Sequence, residues 1–535
     1  MISERGTVAA SGADTDSFDA IVVGAGAAGG LASVLLTEAN LRVLTLDAGW
    51  TPSASRAPYR RSISTIVPSL AALRSSSLLP PPLAAFGQRV LKAAGRVRQP
   101  VQSKSFAWML SPSGFVDDRD FPYSVAPGTR FDWFRAHQVG GRMVIPGHGR
   151  QYHRIRSDVF ANPINAAGRW PIGYDDIAPW YDLVERRLGM EGRETDEDPT
   201  TIEAQTIEAL KRRWPGAAPT LGRSSAPLAA LEQAEATGRL VLQTGAVVDR
   251  VEVDNQGRVT GVAYTDRATK TQRRVRAPIV FLCASALEST RILLSSQSER
   301  SPTGLGGRSG ALGRYLMDHI TLSCDGAGPR FDVEEPQIAG RCVHLPRFNR
   351  QFGDGPSRYN VQLYRWSVGN QRSHFTAVSF AEMAPRAENR VTLDPDRKDV
   401  CGNPVLRFEC AHDAADLAAG SEQARALREL AETFDASITR MDTKPAPLGT
   451  AMHECGTARM GDDPATSVVD PNNECWDAKG LYVTDGAAFP SQGSNHPTLT
   501  IMALTARACA HAARTLPLAA AAIMTNLDAI TPALT

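Results

Sequence analysis

A chain of 535 residues, 42% of them hydrophobic, can bury at least one large core, and its length favours two or more domains. Its 58 Lys+Arg balance 57 Asp+Glu to a net charge of +1, which gives no support to nucleic-acid binding. Eight scattered cysteines form no Cys-x-x-Cys and no zinc-like spacing, the first 18 residues lack a basic-then-apolar leader, and no apolar run reaches the ~18–20 residues of a membrane helix, so a reduced, cytoplasmic protein without a metal site is expected.

Residues 1–17 read as a disordered tail. Ala20–Val23 is a short apolar run that reads as a buried strand and breaks at Gly24. Gly24, Gly26 and Gly29 then stand at G-x-G-x-x-G spacing, and Ala27 to Glu38 is small and apolar enough for a tightly packed helix. The first glycine permits a sharp turn, the second lets backbone approach a pyrophosphate, and the third lets helix lie on strand. Peptide N–H groups at the helix start face the phosphates, and the helix dipole adds to the attraction. Arg42–Leu46 reads as the second strand, ending on Asp47, 23 positions beyond Gly24, where a carboxylate can accept hydrogen bonds from a ribose diol. The unit predicts dinucleotide binding; the spacing alone does not separate FAD from NAD.

Residues 50–115 are Ser- and Pro-rich and read as loops and short helices, with the apolar Leu79–Leu83 stretch in the middle. Residues 124–160 are rich in Gly, Arg and His; His148 and His153 there read as solvated loop positions. A helix opens at Trp170–Ile177, with Asp175 and Asp176 at its positive end, and runs towards Leu188. From Leu240 to Val280 the pattern is strands with a turn at Asn255–Arg258. The cluster Arg273-Arg274-Val275-Arg276 reads as a solvated strand or turn face. Ala277–Cys283 reads as a buried strand and Leu287–Ser295 as a helix, with Glu288 as a packing residue. His319 follows a glycine turn and reads as structural. Residues 330–450 alternate strand-like segments, Asn360–Tyr364 and His374–Phe380 among them, with a helix near 413–434. A strand at Gly480–Thr484 and a helix at Thr498–Arg514 follow; the apolar run Leu516–Met524 is too short to span a membrane.

Several ordered blocks together are far more specific than the glycine loop. They are Val139-Gly140-Gly141-Arg142, Trp170–Tyr181, Ala284–Leu294, His453–Gly461, Leu481–Gly486 and Asn495–Ile501. With them the chain resembles, over nearly its whole length, the glucose–methanol–choline (GMC) oxidoreductases, and among these the bacterial sugar and glycoside dehydrogenases, with pyranose oxidase more distant. The resemblance implies an α/β fold: a Rossmann-like βαβ FAD domain and a substrate domain with an antiparallel sheet flanked by helices. It divides the chain into FAD-domain segments at 18–60, 136–330 and 451–515, a lid or loop insertion at 61–135, a substrate domain at 331–450, and tails at 1–17 and 516–535.

Carried over position by position, the resemblance implies that Gly24, Gly26 and Gly29 hold the pyrophosphate and Asp47 the adenosine ribose. Gly140 and Gly141 let backbone approach the flavin, and Val248 offers its backbone to the adenine edge. Asp485 and Gly486 lie by the ribityl–pyrophosphate region, with His496, Pro497 and Thr498 near the isoalloxazine. Met143 and Pro146 depart from the family's usual residues after Gly-Gly-Arg. Ile145 stands where pyranose oxidases have a flavin-tethering His, so non-covalent FAD is expected; an alignment that puts His148 at that place would undo this.

Alcohol oxidation by a flavin requires removal of the hydroxyl proton and delivery of a hydride to flavin N5; the protein supplies orientation and a base. Histidine, with an unperturbed pKa near ~6.5, suits the base. The family's paired residues correspond here to His453 and His496; His496, directly before Pro497, is the first candidate for the base and His453 the second, the pair sharing the work. Asn495 is the alternative partner if the loop slips by one, and Arg459 reads as structural. The expected activity is FAD-dependent oxidation of a primary or secondary hydroxyl of a sugar or glycoside, with O2, a quinone or a redox protein as acceptor. The alternatives are a non-redox FAD lyase on the same fold, a non-sugar alcohol as substrate, or a flavin- or NAD-carrying subunit without its own catalysis.

Overall fold

The computed structural model describes residues 18–50, 97–145, 151–190, 199–215, 218–222, 229–333, 335, 341–346, 358–367 and 372–515. The tails, Leu79–Leu83, Pro146 and His148 lie outside these.

The chain opens as its sequence predicts. Ala20–Val23 and Val43–Asp47 are fully buried parallel strands, paired Ala20 to Val43 through Val23 to Leu46. The helix Ala27–Glu38 joins them, and its buried residues lie on all sides. That suits a helix without a polar face, which is stable only when covered all round. Its covers include the helices Thr498–Thr515 and Ala230–Ala236. The small residues at its start let it come close to the strand: a Cβ on Gly29 would stand 1.8 Å from the Gly24 carbonyl oxygen.

This unit seeds a five-stranded parallel sheet gathered from the whole chain. Its order is Leu481–Val483, Ile279–Leu282, Ala20–Val23, Val43–Asp47, Leu240–Thr244. A three-stranded antiparallel sheet of Ala246–Val253, Val259–Asp266 and Gln272–Arg276 lies beside it. Residues 273–276 alternate between half-buried and exposed, the solvated strand face the sequence suggests.

A six-stranded sheet contains Ser437–Met441, Ile320–Gly328, Ser373–Ala381, Tyr359–Trp366, Val343–Leu345 and Thr220–Leu221, in that order. Ile320–Gly328 therefore pairs with the sheet that the sequence assigned to residues 331–450, not with the nucleotide-binding segments it was grouped with. Period-two alternation divides the faces of this sheet. Val361, Leu363, Phe375 and Ala377 enter the core with Leu427 and Leu430 of the helix Ala414–Thr433. Gln362, Tyr364, Val378 and Phe380 turn the other way, towards a cavity. Among the described residues, no helix is long and apolar enough to cross a membrane.

Candidate active site

The cavity has a volume of about 460 Å³ and runs between the parallel sheet and the six-stranded sheet. At one end it is lined by Gly24, Gly26, Asp47, Gly141, Val248, Ser285, Asp485 and Gly486. Gly29, behind Gly24, supports this end without lining it. Gly24 turns with φ +96°, and a Cβ there would meet the Cys283 carbonyl oxygen at 2.5 Å; on Gly26 it would meet nothing within 4 Å. The second glycine thus opens onto the cavity, and its Cα lies 3.4 Å from where Gly141 would carry a Cβ. Asp47 accepts from the Ala25 N–H at 2.8 Å and the Gly49 N–H at 2.7 Å, tying the glycine turn to the strand end; burial raises its pKa. Gly140 (φ +88°) and Gly141 (φ +59°) turn a loop whose Met143 lines the cavity, whereas Ile145 is buried with Ala107, Trp108 and Phe115. The Val248 carbonyl accepts from Arg291, which also pairs with Glu288 at 2.8 Å.

Three helices begin on the cavity wall, at Ala27, Ala286 and Thr498. Their unpaired N–H groups and dipoles favour an anionic ligand. Asp485 accepts from the Ser289 hydroxyl at 2.5 Å and from the Ala487 N–H at 3.0 Å, and burial pushes its pKa up to about 6. An open glycine cradle, three helix starts and a buried carboxylate at a strand end fit a dinucleotide such as FAD.

At the other end stand the two imidazoles. His453, on an irregular loop, and His496, just before the helix Thr498–Thr515, both line the cavity, and their ring centroids are 4.5 Å apart. Phe380 packs against both, at 5.4 Å and 5.1 Å. Asn495 does not take the place of His496: it accepts from Asn360 at 3.0 Å and donates to the Arg154 carbonyl at 2.8 Å, fixing the loop. Burial pulls the His496 pKa down to about 4, so this ring is neutral. Gln362 lies 3.3 Å from His496 Nε2, and the Tyr364 hydroxyl donates to Gln362 Oε1 at 3.2 Å. Gln362 and Val378 are direct cross-strand partners, and Tyr364 and Phe380 continue the same face.

The loop carrying His453 is held from behind. Asp318 accepts from the Gly449 N–H at 2.7 Å and the His453 N–H at 3.1 Å. Burial, with the nearby Glu454 carboxylate, raises the Asp318 pKa to about 7. The Glu454 side chain is fully buried and takes both arms of Arg142, at 2.9 and 3.3 Å, bridging to the Gly140–Gly141 turn. Met452 in this loop has φ +62°, a conformation that a non-glycine residue adopts at a cost of about 1–3 kcal/mol. His153 is buried, contrary to the solvated position expected; it stacks on His344 at 4.1 Å and lies 6.4 Å from His496. Arg459 packs over Tyr315, as a structural residue does.

Sequence reasoning passed over Gln362, Tyr364, Val378 and Phe380, although their i,i+2 spacing on neighbouring strands was a usable sign of a shared face. Nothing local marked Arg142 and Glu454 as partners.

Residues 209–321 and 385–505 each match a GMC oxidoreductase family model. The chain is 25% identical to a 2-methyl-1,2-propanediol dehydrogenase of Mycolicibacterium austroafricanum, an alignment covering 92% of this chain and 94% of that one. It is 24% identical to the fructose dehydrogenase large subunit of Gluconobacter japonicus, covering 92% and 97%. With paromamine 6'-oxidase of Streptomyces fradiae the identity is 26%, covering 69% and 77%. In structure it is similar to a pyridoxine 4-oxidase from Mesorbium loti, with a TM-score of 0.59 at 19% identity over 92% of this chain and 98% of that one, a likeness of fold.

Proposed function

Since the chain belongs to the GMC oxidoreductases, enzymes acting on CH–OH groups in a family that depends on FAD in general, we propose that it oxidises a primary or secondary hydroxyl of a sugar, glycoside or related neutral polyol. The observation that carries this reading is the placement of His453 and His496, ring to ring at 4.5 Å, in the same cavity as the glycine cradle. FAD, when bound, supplies the acceptor for the hydride. The protein's part is to bind, orient and deprotonate. One of the two imidazoles takes the hydroxyl proton, and the other lines the site beside it.

The wall near them carries an amide, a phenol, an aromatic ring and a valine, from Gln362, Tyr364, Phe380 and Val378. Such a wall suits an uncharged, hydroxyl-bearing substrate better than an ionic one. The names of the relatives, a diol dehydrogenase and a fructose dehydrogenase among them, point the same way. Gly24, Gly26, Asp47, Gly141, Val248, Asp485, Gly486, Pro497 and Thr498 are the residues we assign to the cofactor, with Gly29 and Gly140 shaping the turns behind them. FAD is held without a covalent bond, since Ile145 offers no nucleophile and is packed away from the cavity. The acceptor is O2, a quinone or a redox protein, and the eight unpaired cysteines suit a reducing compartment such as the cytoplasm.

The test is an anaerobic screen of sugars, glycosides and simple diols for bleaching of the flavin, repeated with His453→Ala and His496→Ala. We expect the flavin-reduction rate to fall about 100-fold or more in at least one variant. Near-wild-type rates in both would sink the assignment. Flavin that is retained but bleached by no alcohol would instead favour a non-redox lyase. Acid precipitation should release the flavin into the supernatant.

A further inference from the structure

We propose that His319 is a positioning residue for the proton transfer: it fixes His453 as the Nδ1–H tautomer and so makes Nε2 of His453 the atom that receives the substrate proton. The inference rests on the functional reading above but has its own geometric basis. His319 is 2% exposed and sits between two partners. Its Nε2 is 3.0 Å from the Gly493 carbonyl oxygen, and its Nδ1 is 2.8 Å from Nδ1 of His453. A carbonyl oxygen only accepts, so His319 Nε2 carries a proton. Burial pushes the pKa of His319 down to about 3, so the ring is neutral and its Nδ1 is bare. The short contact between the two Nδ1 atoms then has one solution: His453 Nδ1–H donates to His319. A neutral His453 with its proton on Nδ1 has its basic lone pair on Nε2.

The rest of the surroundings agree. Asp318 grips the His453 backbone while its neighbour His319 grips the ring, so one dipeptide sets both position and tautomer. His319 is itself held, its ring edge against Phe380 at 5.8 Å and its Gly493 partner anchored by Glu382 through the Gly493 N–H at 3.3 Å. His496 is arranged differently. With Tyr364 donating to Gln362 Oε1, the Gln362 amide nitrogen is turned to His496 Nε2 and donates to it. His453 is therefore the acceptor of the proton, and His496, its Nε2 engaged by Gln362, packs beside it at 4.5 Å. In the step the substrate O–H bond breaks, its electron pair stays on oxygen, and an N–H bond forms at His453 Nε2. The Nδ1 proton stays in place, and His319 stabilises the imidazolium as a neutral acceptor. Among the titratable groups next to His453, Asp318 holds its backbone N–H and the His496 ring packs at 4.5 Å.

The experiment compares holoenzyme of wild type, His319→Ala, His319→Asn and His319→Asp. The readouts are FAD content, anaerobic flavin reduction by the best polyol across pH, and the tautomer of His453 from ¹⁵N-histidine NMR without substrate, assigned by loss of its signal in His453→Gln. We expect His319→Ala to bind FAD normally and to reduce it about 10–100-fold more slowly, with KM little changed. Asn, whose Oδ1 can accept the same proton, should recover to within about tenfold of wild type. The kinetic pKa of the base should move down in the Ala variant and up in the Asp variant, which places a carboxylate there. The NMR should show Nδ1–H on His453 in wild type and its loss in His319→Ala. An unchanged rate in the Ala variant, equal losses of rate and FAD in the Ala and Asn variants, or Nε2–H on His453 in wild type would each overturn the proposal. If no alcohol bleaches the wild type, the substrate reading falls and the NMR result alone decides the role of His319.

Discussion

Gly26 and Gly29 are three positions apart in the same motif, and they do different jobs. The side of Gly26 that would carry a Cβ is open, and its φ of −78° is available to any residue. Gly29 is closed off by the Gly24 carbonyl. Gly26→Ala should therefore keep the stability of the fold to within about 0.5 kcal/mol yet lose FAD. Gly29→Ala should cost about 3 kcal/mol or more, because backbone must move. Urea unfolding beside flavin absorbance separates the two, and equal destabilisation by both would refute the division of labour. The histidines show the same contrast. His453 and His496 were legible because each lies in a recognisable block. The role of His319 was not: its partner is 134 residues distant, and only the fold brings the rings together.

Among elements, the decisive junction is between the Gly140–Val144 turn and the His453 loop. Arg142 and Glu454 hold the two together across 312 residues of chain. Arg142→Ala strands a buried carboxylate and should cost about 3 kcal/mol, with weaker FAD retention. Adding Glu454→Gln should recover part of the loss, since no charge is then left buried; a double-mutant cycle by thermal melts measures it. Additive losses would show that the pair does not act as a unit. Other elements were readable end to end. The helix Tyr174–Arg187 starts where Asp176 accepts from the Gly173 N–H at 2.7 Å, the acid-rich start its sequence announces. The hairpin around Asn255–Arg258 likewise follows from its turn residues, with Asp254 accepting from Gln256 and Arg258.

At the scale of the molecule, burying so many ionisable groups makes stability depend on pH. His319, His344 and His496 have pKa values pulled down to about 3, 3 and 4 by burial. Their folded values lie below the unfolded one of about 6.5, so their contribution is complete above about pH 6.5 and is lost as pH falls towards those values. Asp318, Glu382 and Asp485 act in the opposite sense: their pKa values are raised to about 7, 6 and 6, so their contribution is present below about pH 4 and is lost as pH rises through 6–7. His344→Gln removes one term from the first group. The stability difference between wild type and this variant should be largest at pH 6.5 and above and shrink as pH falls to 4, measured by urea unfolding. A difference that stays flat or grows on acidification would contradict a buried neutral His344.

The sequence by itself made legible the strand–glycine turn–helix unit, the family resemblance and the two imidazoles that the fold brings ring to ring. Each depends on residues close in the chain: a strand, a glycine turn, a helix, or a short block of fixed order. The tertiary structure decided what surrounds those imidazoles. Strand Ile320–Gly328 joined the six-stranded sheet, Gln362 and Val378 met in register, and His319 reached His453. These depend on strand pairing and loop packing between segments far apart, where side-chain pattern gives the face but not the partner.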